Sequence, residues 1–252
     1  MEYRKKSNYQ LWSNVKNFDP DDILNELYTK GKIIKETSKT SSFHLGVYFI
    51  KKTNYHFIEG AFRHVLLSKR CRNAWNISNY LIKSGIHTPQ PIAHFETLKF
   101  YLPYQHFFIS EYLQENCNVE VFIKNNIYIK KNITIDNFFH TLKKLLILLW
   151  EKGIYHKDLS GKNLLTISGD NIYLIDLDSV CLISPFQIKY KIKNLIQIYD
   201  SFCDFVNEEI LKDLIFTVLS NISINELKTI YSRIKRLQEQ RRIKHIKNIK
   251  IY

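Results

Sequence analysis

No Cys-x-x-Cys pair occurs in the 252 residues; Cys71, Cys117, Cys181 and Cys203 stand far apart. That spacing excludes the common zinc and dithiol frameworks and leaves ordinary reduced thiols. Long apolar runs are missing as well: the longest, Leu145–Trp150, is far too short to cross a bilayer. The opening MEYRKKSNYQLW carries charge with no apolar segment after it, so it does not read as a secretory signal. No internal repeat and no low-complexity linker interrupts the chain. These absences lead to the expectation of a cytoplasmic protein. Acidic residues are in deficit, 24 Asp and Glu against 37 Lys and Arg, a net charge of +13. Such an excess favours polyanionic partners: nucleic acid, an anionic membrane face or a phosphorylated substrate. No base-reading motif accompanies the charge and the aromatics fall at core-like positions, so nucleic acid is not expected.

What is present suits a folded globular protein: 45% hydrophobic and 24% charged residues, in a length that fits one large domain or two packed lobes. The most informative stretch is His156 to Asp178, HKDLSGKNLLTISGDNIYLIDLD. It reads His-x-Asp, four residues, Asn, then an apolar strand (Leu174, Ile175, Leu177) that carries Asp176. Phosphoryl-transfer enzymes of the kinase type carry a base and two magnesium ligands in this order. On that pattern Asp158 takes or orients a hydroxyl proton, while Asn163 and Asp176 hold Mg²⁺ against the phosphates of ATP. Carboxylate and amide oxygens suit a hard cation. The plain alternative is that HKDLSGKN is a polar turn between a helix and a strand.

Around this stretch the chain falls into an N-terminal extension over 1–30, a sheet-rich lobe over 31–113 and a helical lobe over 114–252. In the extension Pro20, Asp21 and Asp22 lead into a short helix, ILNELYTK. Strands are expected at Lys32–Lys35 and Phe43–Lys52, separated by the loop ETSKTSS (36–42), with a hairpin turn at Gly46. VYFIK places Lys51 after an apolar strand, much as V-A-I-K does, which makes Lys51 the candidate phosphate lysine and Lys52 its alternative. Period-2 alternation puts these two lysines on opposite faces.

A helix is expected over roughly 70–83, with Ala74, Ile77 and Leu81, and also Trp75 and Ile82, on its buried side and Gly85 as its end. FFISEYL then runs a last strand into a hinge at Glu111, Tyr112 and Leu113, whose backbone, at Glu111 and Leu113, would meet the adenine. A buried strand followed by a loop accounts for the same residues without ATP. In the second lobe Asp136 is read as the cap of a helix through FFHTLKKLLILLW that Gly153 ends. Helical segments follow near 194–206, 207–220 and 224–249. The last is amphipathic (Leu227, Ile230, Tyr231, Ile234, Leu237) and strongly basic.

The run from Lys51 to Ser179 resembles the lipopolysaccharide core kinases of Gram-negative bacteria, the InaA-like and Kdo-kinase group. RCRNAWNISNYLIKSGIHTPQPIA, SEYL, HKDLSGKNLL and YLIDLDSV carry the likeness. It implies an α+β, protein-kinase-like fold of two lobes, a small antiparallel-sheet N-lobe and a mainly helical C-lobe. It further implies transfer of the γ-phosphate of ATP to a sugar of the lipid A–core region, Kdo or heptose, at the anionic inner-membrane surface. Asp158 would be the catalytic base, Asn163 and Asp176 the metal ligands and Lys51 the phosphate lysine. Asp178 stands where this family often has Asp in place of Gly.

There are departures from the general kinase pattern. The loop 36–42 has no glycine, the helix near Arg70 offers no Glu in its central turns to pair with Lys51, and no A-P-E follows Asp178. The lysine's ion-pair partner is therefore in doubt, or moves to Glu59. A sugar or other small hydroxyl is favoured over a protein substrate. The remaining alternatives are a kinase-fold phosphotransferase acting on another small molecule or protein, and a non-catalytic basic binding protein.

Overall fold

The structure, a computed structural model, describes residues 1–5, 8–54, 61–99, 102–128 and 132–249. Contacts divide the chain into two units: Met1–Gln114 with Asp176–Asp178, and Glu115–Ile175 with Ser179–Tyr252.

The first unit is built on seven antiparallel strands: β1 (Glu2–Lys5), β2 (Tyr9–Ser13), β3 (Lys32–Glu36), β4 (Thr40–Leu45), β5 (Tyr48–Asn54), β6 (Pro91–Lys99) and β7 (Leu102–Glu111). Their order is β1-β2-β6-β7-β5-β4-β3. Alternation decides which face each residue serves. Tyr9, Leu11, Ile50, Ala93, Phe95 and Phe107 form one face and pack with Leu27 from helix α1 (Pro20–Lys30). Helix α1 starts where its sequence says it should: the Asp19 side chain accepts the Asp21 N–H, Pro20 opens the first turn, and Asp21 and Asp22 sit at the positive end of the helix dipole. Helix α2 (Ala61–Lys83) packs on β6 and β7 with Ala74, Trp75, Ile77 and Leu81 buried.

The expected strand pair and Gly46 turn are present, but β4 begins at Thr40, so the polar loop is shorter than 36–42. Residues 1–30, read as an extension, supply β1 and β2, and β2 pairs with β6. Helix α2 starts well before residue 70, because nothing from Ala61 onward breaks it: the run has no glycine or proline. Ile82, placed on its buried side, is exposed.

The second unit holds β8 (Cys117–Asn118), α3 (Val119–Tyr128), α4 (Asn132–Glu151), β9 (Ile154–His156), β10 (Leu164–Thr166), β11 (Tyr173–Leu174), β12 (Val180–Leu182), α5 (Ile188–Phe202), α6 (Glu208–Val218) and α7 (Ile224–Ile249). Helix α4 buries Phe138, Leu142, Leu146 and Leu149, one apolar stripe at helical period. Phe138 and Phe139 meet Phe202 of α5 edge to face at 6.0 and 5.6 Å. Asp136 does not cap α4. It lies inside the first turns and is exposed, because the helix begins at Asn132 to bury Ile135.

Gly153 ends the α4 region as expected: its φ is +68°, and a Cβ there would stand 2.6 Å from the carbonyl oxygen of Ile183. Only glycine meets both demands. Helix α5 starts at Ile188, six residues ahead of the expected 194. Among the described residues Cys117, Cys181 and Cys203 are free thiols.

Candidate active site

In the second unit the short strand β9 delivers His156 and pairs antiparallel with β12, Val180 opposite His156. His156 is buried and does structural work with both ring nitrogens. Its Nδ1 accepts the backbone N–H of Asp158 at 3.1 Å, so Nε2 carries the proton and donates to the carbonyl of Ile175 at 3.0 Å. One imidazole thus ties the turn holding Asp158 to Ile175, the residue just before Asp176 and just past the end of β11. Asp158 itself is exposed. The Asn163 amide nitrogen donates to the Asp158 carbonyl at 2.8 Å and to its Oδ2 at 3.0 Å. With the nitrogen committed there, the Asn163 amide oxygen is the atom left to face a cation.

Helix α5 holds the same turn from beneath. Asn194 donates to the His156 carbonyl at 2.7 Å, and Gln197 donates to the Lys157 carbonyl at 2.6 Å while accepting the Leu159 N–H at 2.9 Å. Ser201 accepts the Gly161 N–H at 2.8 Å. Gly161 has no room for a side chain, since a Cβ would stand 2.6 Å from Glu120. The sequence reading missed this polar row, although Asn194, Gln197 and Ser201 recur at helical spacing on the otherwise apolar face of α5.

In the first unit Lys51 of β5 lies against the three residues 176–178. Its Nζ is 2.9 Å from Asp176 Oδ1 and 2.6 Å from Asp178 Oδ2. Burial opposes the charge on Lys51, but Asp178 and then Asp176 outweigh it and hold the ammonium above its ordinary range. Lys52 points to the other face, toward the Tyr28 hydroxyl at 3.5 Å and the Phe107 ring. As the sequence of the helix near Arg70 implied, no glutamate of that helix pairs with Lys51. Among the described residues its partners are the two aspartates, and Glu59, the alternative partner, lies outside the described residues. Asp176 has a left-handed backbone, φ +55°, a conformation that favours glycine and is uncommon for other residues.

At the far end of β7, opposite Tyr48, sits Glu111, followed by Tyr112 and the buried Leu113. The N–H groups of Glu111 and Tyr112 are engaged by the carbonyls of Gln90 and Val47 at 2.9 and 2.8 Å. The Tyr112 ring stacks on His44 at 3.8 Å.

Taken one by one, the side chains of Asp158 and Asn163 in the second unit and of Asp176 in the first offer the oxygen donors that a hard divalent ion prefers. Among the described residues no group of three His, Cys, Asp or Glu could hold a metal. A magnesium ion held by one or two protein oxygens and completed by phosphates and water has that character.

A model of the lipopolysaccharide kinase (Kdo/WaaP) family matches residues 16–231. The chain belongs to that family. No curated protein matches it by sequence. The structure of WaaP in complex with acyl carrier protein aligns with TM-score 0.66 and 17% identity, over 89% of this chain and 93% of that one. WbdD aligns at 0.50 and 14% identity, over 81% of this chain and 49% of WbdD. ROP2 from Toxoplasma gondii, a virulence factor with a protein-kinase fold and no enzymatic activity, aligns at 0.50 and 10% identity, over 93% and 87%. These likenesses show the α+β, protein-kinase-like fold that the motifs implied. ROP2 also shows that the fold alone does not carry activity. Membership of the Kdo/WaaP family does: the chain is a kinase, and that activity implies ATP as phosphoryl donor.

Proposed function

We propose that this kinase phosphorylates a Kdo or heptose hydroxyl of the lipopolysaccharide inner core, working at the cytoplasmic face of the inner membrane. The family match over 16–231 supports the substrate class. The observation that carries the chemistry is the Asn163–Asp158 clamp, which aims one carboxylate and leaves an amide oxygen for a cation. Asp158 accepts the proton of the sugar hydroxyl as its oxygen attacks the γ-phosphorus and ADP departs. Asn163 holds that carboxylate in place. Lys51 sets a positive charge beside the phosphates, and the chain at Glu111 and Leu113 borders the adenine. Mg²⁺, held by Asn163 and Asp176, would supply neutralisation of the phosphate charge. Most of the rate enhancement in such a site comes from positioning and preorganised charge.

Membrane attachment would be peripheral. Among the described residues no helix is long and apolar enough to cross a membrane, whereas α7 presents Lys228, Arg233 and Arg236 exposed. The test is transfer from γ-labelled ATP to two purified acceptors, a lipid A precursor carrying Kdo alone and a core carrying heptose. Label is expected on one of them. It should fall roughly 100- to 10,000-fold in Asp158→Asn, the range for loss of a general base, and be lost in Asp176→Ala. A folded Asp158→Asn protein with full turnover would remove the mechanism. Nucleotide binding without transfer to either acceptor would move the reading to another hydroxyl.

A further inference from the structure

Helix α2 is 23 residues long and contains no Asp or Glu. In protein kinases the helix after the lysine strand supplies the glutamate that orients the phosphate lysine. A lysine on a β-strand has a long, flexible stem, and without a fixed carboxylate its ammonium is poorly placed. The other ionisable groups on the same face of the sheet do not serve. His94 and His106 are buried and neutral, and Arg72 is itself paired with Glu96 at 3.4 Å. Among the described residues two carboxylates reach Lys51, and they differ. Asp176 is the more exposed at 46% and the more distant at 2.9 Å. Asp178 is 20% exposed and stands at 2.6 Å. Between them Leu177 is buried and begins a 3-10 turn that runs to Ser179, and residues 176–178 group with the unit of Lys51.

We propose that Asp178 is the positioning residue of the phosphate lysine, taking from the far side of the chain the part that a helix glutamate plays in other kinases. Asp176 is thereby left to the cation, and the lysine keeps a fixed partner when phosphates arrive. This rests on the kinase reading of Lys51 given above. It makes the last Asp of Asp-Leu-Asp a functional position acting through Lys51.

The experiment is a double-mutant cycle of Lys51→Met and Asp178→Asn on the full chain, with Asp178→Glu as the conservative variant. Two readouts are taken. Thermal unfolding in EDTA, without nucleotide, tests the pair itself: the losses of the two single variants should exceed that of the double variant. Additive losses would overturn the proposal. The second readout is AMP-PNP affinity, with KM for ATP and kcat. Asp178→Asn should weaken nucleotide binding and raise KM by roughly 10- to 100-fold, the range typical of losing an orienting partner, and change kcat less.

Asp178→Glu should recover much of that loss, and Asp178→Asn should add nothing in the Lys51→Met background. An effect that persists there and tracks Mg²⁺ concentration would make Asp178 a metal ligand and overturn the positioning role. Thermal coupling in a wild type that neither binds AMP-PNP nor transfers phosphate would instead sink the kinase reading, and the positioning role with it. Should Asp178→Asn show no unfolding transition, Asp178→Ser takes its place in the cycle.

Discussion

His94 and His106 stand back to back on β6 and β7, ring centroids 4.4 Å apart, with all four nitrogens buried and, among the described residues, without a hydrogen-bond partner. Burial, then Arg72, pushes His94 down to about 3. Burial, then His94, Lys51 and Arg72, pushes His106 well below its ordinary value. The 4.0 Å approach of His94 to Glu96 is therefore no ion pair at neutral pH, since the ring carries no charge. In the unfolded chain both rings take up a proton near pH 6.5. Stability is thus fully present above that pH and is lost as the pH falls toward 3, at a slope of up to about 1.4 kcal/mol per pH unit for each histidine. The Trp12 and Trp75 rings lie 4.9 and 6.3 Å from His94, so tryptophan fluorescence reports this sheet. Acid titration of the wild type should show early loss of the first unit. Replacing both histidines with Phe should flatten that limb. An unchanged limb would assign acid sensitivity to the carboxylates.

Helix α5 shows what a single element contributes to chemistry it does not touch. Gln197 grips the backbone on both sides of Asp158, at Lys157 and Leu159. Gln197→Ala should leave secondary structure and nucleotide affinity in place while kcat drops by up to about 100-fold, since an ångström of misplacement is enough for that. Circular dichroism, AMP-PNP binding and turnover measured together check it; a parallel loss of all three would mean that α5 merely holds the fold. This element also marks where the sequence was legible. Asp158, Asn163 and Asp176 could be singled out as candidates because each motif is compact in the chain. The apolar stripe of α4 and the turns at Gly46 and Gly153 could be read because period and backbone sterics are local properties. The α5 row could not be connected to the site, because its partners are carbonyl and amide groups forty residues away that leave no mark on composition. Strands β1 and β2 escaped for a similar reason: each is short, and the strand that ties the pair into the sheet, β6, pairs with β2 and comes far later in the chain.

On the scale of the whole molecule the net charge of +13 is not spread evenly in its use. Part of the basic character of α7 is structural. Arg242 is held by Asp200 and Asp204 at 2.7 Å each, which also keeps the Asp204 carboxyl below its usual range, and Lys235 is held by Glu208. Lys228, Arg233 and Arg236 are exposed, with no ion pair among the described residues. Each cation at an anionic surface contributes about 1 kcal/mol. Changing these three to Gln should therefore weaken binding to phosphatidylglycerol vesicles by roughly 100-fold at low salt. Cosedimentation with phosphatidylglycerol and with phosphatidylcholine vesicles decides it; equal binding to both would end the electrostatic reading.

The path of the chain also has a temporal side. Lys51 and Asp178 are separated by 127 positions. A ribosome adding roughly 5–20 residues per second exposes β5 on the order of ten seconds before Asp178 exists. The sheet emerges first, yet Lys51 acquires its two aspartates only after β8, α3, α4 and β9 to β11 have been synthesised, and before α5, α6 and α7 exist. The cluster of Lys51, Asp176 and Asp178 is therefore completed in the second half of synthesis, and an N-terminal fragment ending at Gln114 would carry the lysine without the carboxylates that hold it.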